Sequence, residues 1–263
     1  VILPRMFGFL IKKWFFDLWD NFLPAIAMNL AFIALMAIPI TLPAAVSSAG
    51  VAVPLIVLVL GIVLVFVYTG GVFAAAGRIT DYHSVAAQEF VSNLRAWLPA
   101  SLILAGITIF HAFLLSVAVP VYNAMDNVFG LFALAVLFWM SVIWWMATQY
   151  FFPVRGRLTD RPMAVIKKSF ILTFDNTGFT VGILLGSLVI VVLSVFTAFM
   201  VPGIAGLAIW YQTATKLRLY KYDYLEEHPE ESRKDIPWDA LLLEDRERVG
   251  KRTLKGMIFP WKD

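Results

Sequence analysis

The chain has 263 residues, 60% of them hydrophobic and only 15% charged, with a mean hydropathy of +0.81. Soluble domains carry about 25% charged residues, so the composition excludes a soluble enzyme and points to an all-α, polytopic membrane protein. There is no cysteine, which excludes disulfides and thiolate metal sites, and the formal charge of +3 gains meaning only once the charges are placed along the chain.

Residues 1–21 form an aromatic and basic amphipathic stretch, with Phe7, Phe9, Trp14, Phe15, Phe16 and Trp19 beside Arg5, Lys12 and Lys13. That composition suits a helix lying in the headgroup layer. From Asn21 to Gly77, 57 residues carry no charge, too many for one span of about 20. The region from Pro39 to Pro54, with Ser47, Ser48 and Gly50, supplies a break, and two spans are predicted at 22–44 and 52–76. The first apolar segment is too long for a cleavable signal peptide and has no small-residue cleavage site before the next one.

A second amphipathic stretch runs from Arg78 to Arg95, with Ile79, Tyr82, Ala86, Phe90 and Leu94 at helical spacing. Spans three and four follow at 97–121 and 128–152, joined by a turn at 122–127. Residues 152–176 hold five basic side chains, Arg155, Arg157, Arg161, Lys167 and Lys168, on a third amphipathic stretch. A fifth span is predicted at 178–200 and, after the turn signal Pro202-Gly203, a shorter sixth at 204–222. Lys216 and Arg218 within it must snorkel or already lie in the interface.

Residues 1–222 thus form a six-helix membrane domain of three hairpins with interfacial amphipathic helices, and 223–263 a soluble tail. Asp235-Ile236-Pro237-Trp238 opens a helix with Trp238, Leu241, Leu242 and Val249 on one face, and the chain ends on basic and aromatic residues including Phe259 and Trp261. About 40 residues are too few for a core of their own, so this tail must lie on the membrane, on the loops or on a partner. With six spans and the N-terminus inside, all 21 Lys and Arg fall in the N-terminal stretch, the two inner loops and the stretch from Lys216 to Lys262, which starts at the inner end of the sixth span. Asp126 is then the single outer charge. The positive-inside rule therefore predicts a multi-pass protein of the inner (cytoplasmic) membrane with both termini cytoplasmic.

The two inner loops echo each other. Gly77-Arg78-Ile79-Thr80-Asp81 matches Gly156-Arg157-Leu158-Thr159-Asp160, which fits either parallel repeats or chance alignment of low-complexity apolar sequence. No charge lies in the middle of a span, where ion and proton pathways would place one. Asn29, His111 and Gln149 remain as candidate polar groups of the bundle interior, contacting a solute or bonding a neighbouring helix. Asp81 and Asp160 are interfacial carboxylates that suit either headgroup chemistry or helix capping. Arg155, Arg157, Arg161, Lys167 and Lys168, with Trp238, Phe259 and Trp261, form a candidate docking surface for a partner or for anionic lipid, or serve topology alone. No cofactor or metal-ligand motif is visible. The basic residues are interspersed with acidic ones, which argues against nucleic acid.

The order of features resembles the YesL-type family of bacterial membrane proteins. The resemblance is carried by Asn29-Leu30 leading to Pro39 in the first span, by Phe90 and Asn93, by Tyr150-Phe151-Phe152-Pro153, by Phe174-Asp175-Asn176 and by the Pro202-Gly203 break. More distantly, the chain is similar to the membrane domain attached to some glycerophosphodiester phosphodiesterases. Residues 43–77 and the tail depart from the family pattern. The resemblance implies no catalytic residues and suggests an accessory role beside a carbohydrate uptake system, with a transporter permease as partner. Three functions are therefore expected in order: a non-enzymatic accessory or scaffold protein, an independent carrier or channel for a neutral or amphipathic solute, and an interfacial lipid enzyme on Asp81 and Asp160.

Overall fold

The computed structural model describes residues 2–232 and 236–252, with side chains from Met6 onward. Among these residues the chain is all-helical. The membrane-length helices are α2 (Phe22–Ala45), α3 (Ala52–Thr80), α4 (Ala87–Asn123), α5 (Val128–Thr148) continued by α6 (Phe151–Arg157), and α8 (Thr177–Phe196). Five are long and apolar enough to cross a bilayer. The break predicted between the first two spans is a single 3-10 turn, Ser47–Ala49.

Amphipathic helices occupy one end of the bundle. In α1 (Ile2–Asp20) the residues Met6, Leu10, Lys13 and Asp17 recur at helical spacing and are all buried, so one stripe packs inward. In α7 (Pro162–Asp175) Val165, Ser169, Leu172 and Thr173 are buried. Between them in sequence, the second amphipathic stretch is not a separate interfacial helix. Its first residues end α3 at Thr80, residues 81–86 are non-helical, and from Ala87 it runs without a break into the third span as the 37-residue α4, because nothing between Glu89 and Trp97 opposes helix until Pro99, which the helix carries within it.

The helix α9 (Gly203–Glu227) corresponds to the predicted sixth span, yet it is not among the five apolar ones. It is the axis of the molecule, packed by α1, α2, α3, α6 and α8. Its residues from Gly203 to Leu217 are mostly buried, including Gln212, Thr213 and Thr215. Neighbouring protein rather than lipid surrounds it, so its side chains need not be apolar. Small residues allow the close approach: a Cβ on Gly186 of α8 would lie 2.2 Å from the Trp210 ring.

The N-terminus of α9 begins inside this packing, where its free N–H groups need partners. Asn29 of α2 supplies them. Its Oδ1 accepts from the Ala205 N–H (2.8 Å), while its Nδ2 donates to the carbonyls of Met200 and Pro202 (both 2.9 Å). Ser194 Oγ accepts from the Gly203 N–H (3.0 Å), and Trp14 Nε1 donates to the Gly206 carbonyl (2.8 Å). Gly203 adopts φ +59°, and a Cβ there would strike the Asn29 amide, so both the conformation and the contact demand glycine.

The tail folds back. Two short helices, α10 (Trp238–Leu241) and α11 (Leu243–Val249), lie against α1 and bury Leu242 and Val249. Of the three places available to the tail, residues 236–252 lie on the chain itself, against α1, α9 and the turn after α3 rather than on the loops alone. Phe259 and Trp261 lie outside the described residues.

Candidate functional site

Where α1, the end of α3, α6, α9 and α11 meet, three cations and three carboxylates share one cluster, buried at Lys13, Asp17 and Asp245 and open to the surface at Asp81. Lys13 Nζ lies 3.0 Å from Asp17 and 3.7 Å from Asp245, and is itself fully buried. Lys216 Nζ lies 3.2 Å from Asp81 and 3.3 Å from Asp245 and donates to the Thr80 carbonyl (3.0 Å). Arg157 pairs with Asp81 (3.3 Å) and donates to Gln212 Oε1 (3.1 Å) and Thr80 Oγ1 (2.8 Å). Asp245, 2% exposed, also accepts from the hydroxyls of Tyr82 (2.7 Å) and Tyr220 (2.9 Å).

Tyr82 sits at the centre. Its ring lies beneath Lys13 Nζ, 3.9 Å from the centroid, with Lys216 and Arg248 nearby at 5.1 and 5.6 Å, a set of cation–π contacts. Its backbone has φ +62°, an unfavourable conformation for a bulky side chain. Such outliers persist where the surroundings over-determine them. Here the payoff is a ring aimed at two ammonium groups and a hydroxyl aimed at Asp245.

The titration of the cluster follows from burial and charge. Burial pushes Asp17 up to about 7, against the pull of Lys13. Burial also lowers Lys13, while Asp17 and Asp245 act the other way. For Asp245, burial raises the pKa, but Lys13 and Lys216, with the two tyrosine hydroxyls, outweigh it and hold the carboxyl below its ordinary value. The tail carboxylate is therefore more firmly ionised than Asp17.

The two echoed motifs meet beside it. Gly77, Arg78 and Asp81 from one, and Gly156 and Arg157 from the other, line a cleft of about 180 Å³ with His83, Trp97 and Gln212. Asp160 is not part of it. Neither aspartate caps a helix as the Thr-Asp pattern suggested. Asp81 ends α3 with its carboxylate given to Arg157 and Lys216. Asp160 is exposed, and at that turn Thr159 Oγ1, not Asp160, accepts a backbone N–H, that of Arg161 (3.3 Å).

The remaining candidate residues divide. Arg157 belongs to the cluster, and Arg155 donates to the Ala96 carbonyl (3.1 Å) and stacks on Trp97. Arg161, at the start of α7, and Lys167 are exposed and Lys168 is half-buried; Lys167 shares its face of α7 with exposed Met163, Ile171 and Phe174. Trp238 is half-buried against Arg218. Arg218 is partnered within the protein: it donates to Asn176 Oδ1 and lies over the Phe179 ring. Asn29, His111 and Gln149 do not share a cavity. Asn29 holds the α9 terminus, while Gln149 lines an aromatic cavity of about 350 Å³ with Phe66, Phe73, Trp145, Phe152 and Tyr211. His111 is half-buried on α4 and lines neither that cavity nor the cleft.

Sequence reasoning missed Lys13, Asp17, Tyr82, Tyr220 and Asp245. One signal was present: Lys13 and Asp17 lie four residues apart on the apolar stripe of α1, the spacing of an intrahelical ion pair. The partnership of Tyr82 with Asp245 spans 163 residues and had none. No protein-family model, curated protein or solved structure matches this chain.

Proposed function

We propose that this chain is a non-enzymatic accessory or scaffold protein of the inner membrane that docks a partner at its cytoplasmic face. In this reading α9 is a sixth span shielded by its neighbours, the helices pair as three hairpins, and the charged end with both termini faces the cytoplasm. The positive-inside distribution of all 21 Lys and Arg supports that orientation.

The observation that carries the docking role is how the charged end is divided. Its central ionic groups are engaged with one another, as in a structural network, whereas the α6–α7 rim presents Arg161, Lys167 and Lys168 beside exposed Met163, Ile171 and Phe174. Cations interleaved with exposed apolar side chains make a recognition surface of the kind found at interfaces. The resemblance to the YesL-type family adds a transporter permease of a carbohydrate uptake system as the first partner to test.

The test is gentle detergent extraction of the full chain followed by pull-down. A stoichiometric membrane partner is expected, and Arg161→Glu, Lys167→Glu and Lys168→Glu together should release it while the chain stays folded. Retention of the partner by the triple variant, or solute flux through liposomes holding this chain alone, would contradict the reading.

A further inference from the structure

The cluster has one carboxylate that the membrane-length part of the molecule does not need. With Asp245 set aside, Lys13 keeps Asp17 at 3.0 Å, and Lys216 keeps Asp81 at 3.2 Å, which also pairs with Arg157. Each ammonium thus retains a partner of its own. Three cations then face two carboxylates, leaving one positive charge and the two hydroxyls of Tyr82 and Tyr220 converging on the place where the Asp245 carboxylate sits. That is a built receptor for a single carboxylate, and the tail supplies the one now in it.

What presents the carboxylate is also defined. Leu242, Asp245 and Val249 lie at i, i+3 and i+7 and are all buried, so one face of a short amphipathic helix carries an acid between two apolar anchors. The helices holding it have four and seven residues, too short to persist unsupported. The seating is incomplete, since a groove of about 430 Å³ remains between Met6 of α1 and the segment from Ile236 to Leu242. Leu242 and Val249 join the main core, but a lock held there by two helices this short is a contact that local opening can release.

We propose that Lys13, Lys216, Tyr82 and Tyr220 form a receptor for a carboxylate on a short amphipathic acidic helix of a partner protein, and that residues 236–252 occupy it in cis until such a helix displaces them. This goes beyond the scaffold reading by adding a second contact, at the cluster, to the α6–α7 rim, and rests on that reading for the existence of a partner. The tail is then a self-ligand, and the ligand class is an acidic residue flanked by aliphatic side chains three before and four after it.

The probe is a fluorescent peptide with the sequence of residues 236–252, titrated against the full chain in nanodiscs. The unaltered chain should bind it weakly, because the tethered tail competes at an effective concentration on the order of millimolar. Asp245→Asn in the chain should raise the peptide's affinity at least about 10-fold by weakening that competitor. The peptide carrying Asp245→Asn should not bind. Lys216→Glu in the chain should abolish binding of the original peptide and restore it for a peptide carrying Asp245→Lys. Tyr220→Phe, which removes one hydroxyl and little else, should cost several-fold and serves if Lys216→Glu does not fold. Equal affinity of the peptide for the unaltered and Asp245→Asn chains, or binding indifferent to the peptide's own acid, would overturn the proposal. Partner capture separates the two ideas: a partner retained while the peptide neither binds nor competes leaves the scaffold and removes the receptor. A peptide that binds as described with no partner retained does the reverse.

Discussion

At the charged end of the bundle, helices interlock: Lys13, Tyr150, Phe151, Phe179 and Leu217 are all less than 2% exposed. Towards the other end, α5 buries only Gly130 and Ala147, and Phe129, Phe132, Phe138 and Trp139 are exposed. In water the second arrangement would be untenable. In a bilayer lipid tails are as apolar as the side chains, so apolar surface has no reason to hide and helix association depends on close packing and polar bonds. The tight end is tight because that is where groups need partners: the terminus of α9, the Lys13–Asp17 pair and the Arg157–Asp81 pair. The bonds these polar groups make, rather than apolarity, mark the part of this molecule that is closely packed.

Variants can sharpen or break that contrast. The largest effect is expected from Lys13→Met, which leaves Asp17 and Asp245 buried with one cation fewer and should destabilise the chain by about 3–5 kcal/mol, read as a fall in thermal midpoint in detergent. Asn29→Leu strips partners from the Ala205 N–H and the carbonyls of Met200 and Pro202, at a cost of about 3 kcal/mol, with loss of hydrogen-exchange protection at the start of α9. Gly186→Ala drives a methyl group into the Trp210 ring and should cost about 2 kcal/mol by overpacking.

A pH series gives a smaller effect with a definite sign. Between the ordinary carboxyl value of 3.8 and about 7 the folded chain retains a proton on Asp17 that the unfolded chain has released. Asp17 therefore lowers stability as pH rises through that window, with a slope of about one proton. Asp245 acts oppositely: its stabilisation is lost as pH falls below the ordinary carboxylate range towards its depressed folded value. Asp17→Asn should flatten the dependence of the thermal midpoint between pH 4 and 7. The smallest effect belongs to the bare helix. Phe138→Ala, at 60% exposure, should change stability by no more than about 0.5 kcal/mol. A larger loss in native membranes than in detergent would show that α5 is covered by protein there.

Legibility in the sequence followed the same divide. The uncharged run from Asn21 to Gly77 and the Ser47–Gly50 break were enough to place α2 and α3, since lipid imposes length and apolarity directly. The centrality of α9 was not legible, because Gln212 is answered by Phe73 of α3 and Arg157 of α6, and Thr213 and Thr215 are buried by neighbouring helices, none of them near in the chain. Arg157 was singled out as a docking residue, yet its guanidinium is spent on Asp81, Gln212 and Thr80. Lys12 and Lys13 are adjacent and look alike in sequence, but they have different fates: the first donates to the Gly250 carbonyl of the tail, the second is fully buried beside Asp17. The i,i+4 spacing to Asp17 is the one local difference, and the long-range placement of Tyr82 and Asp245 completes the burial of Lys13.

The chain has no cysteine, so single thiols can report directly on the docked tail. Leu242 is buried and its neighbour Leu243 is 56% exposed. In inverted membrane vesicles a polar maleimide should modify Leu243→Cys rapidly and Leu242→Cys slowly, and Lys216→Glu should make Leu242→Cys react as fast as Leu243→Cys. In intact cells neither should react from outside. Equal labelling of both positions in the otherwise unaltered chain, or labelling of Leu243→Cys from the outer side, would contradict an acidic tail locked onto the cytoplasmic end of this bundle.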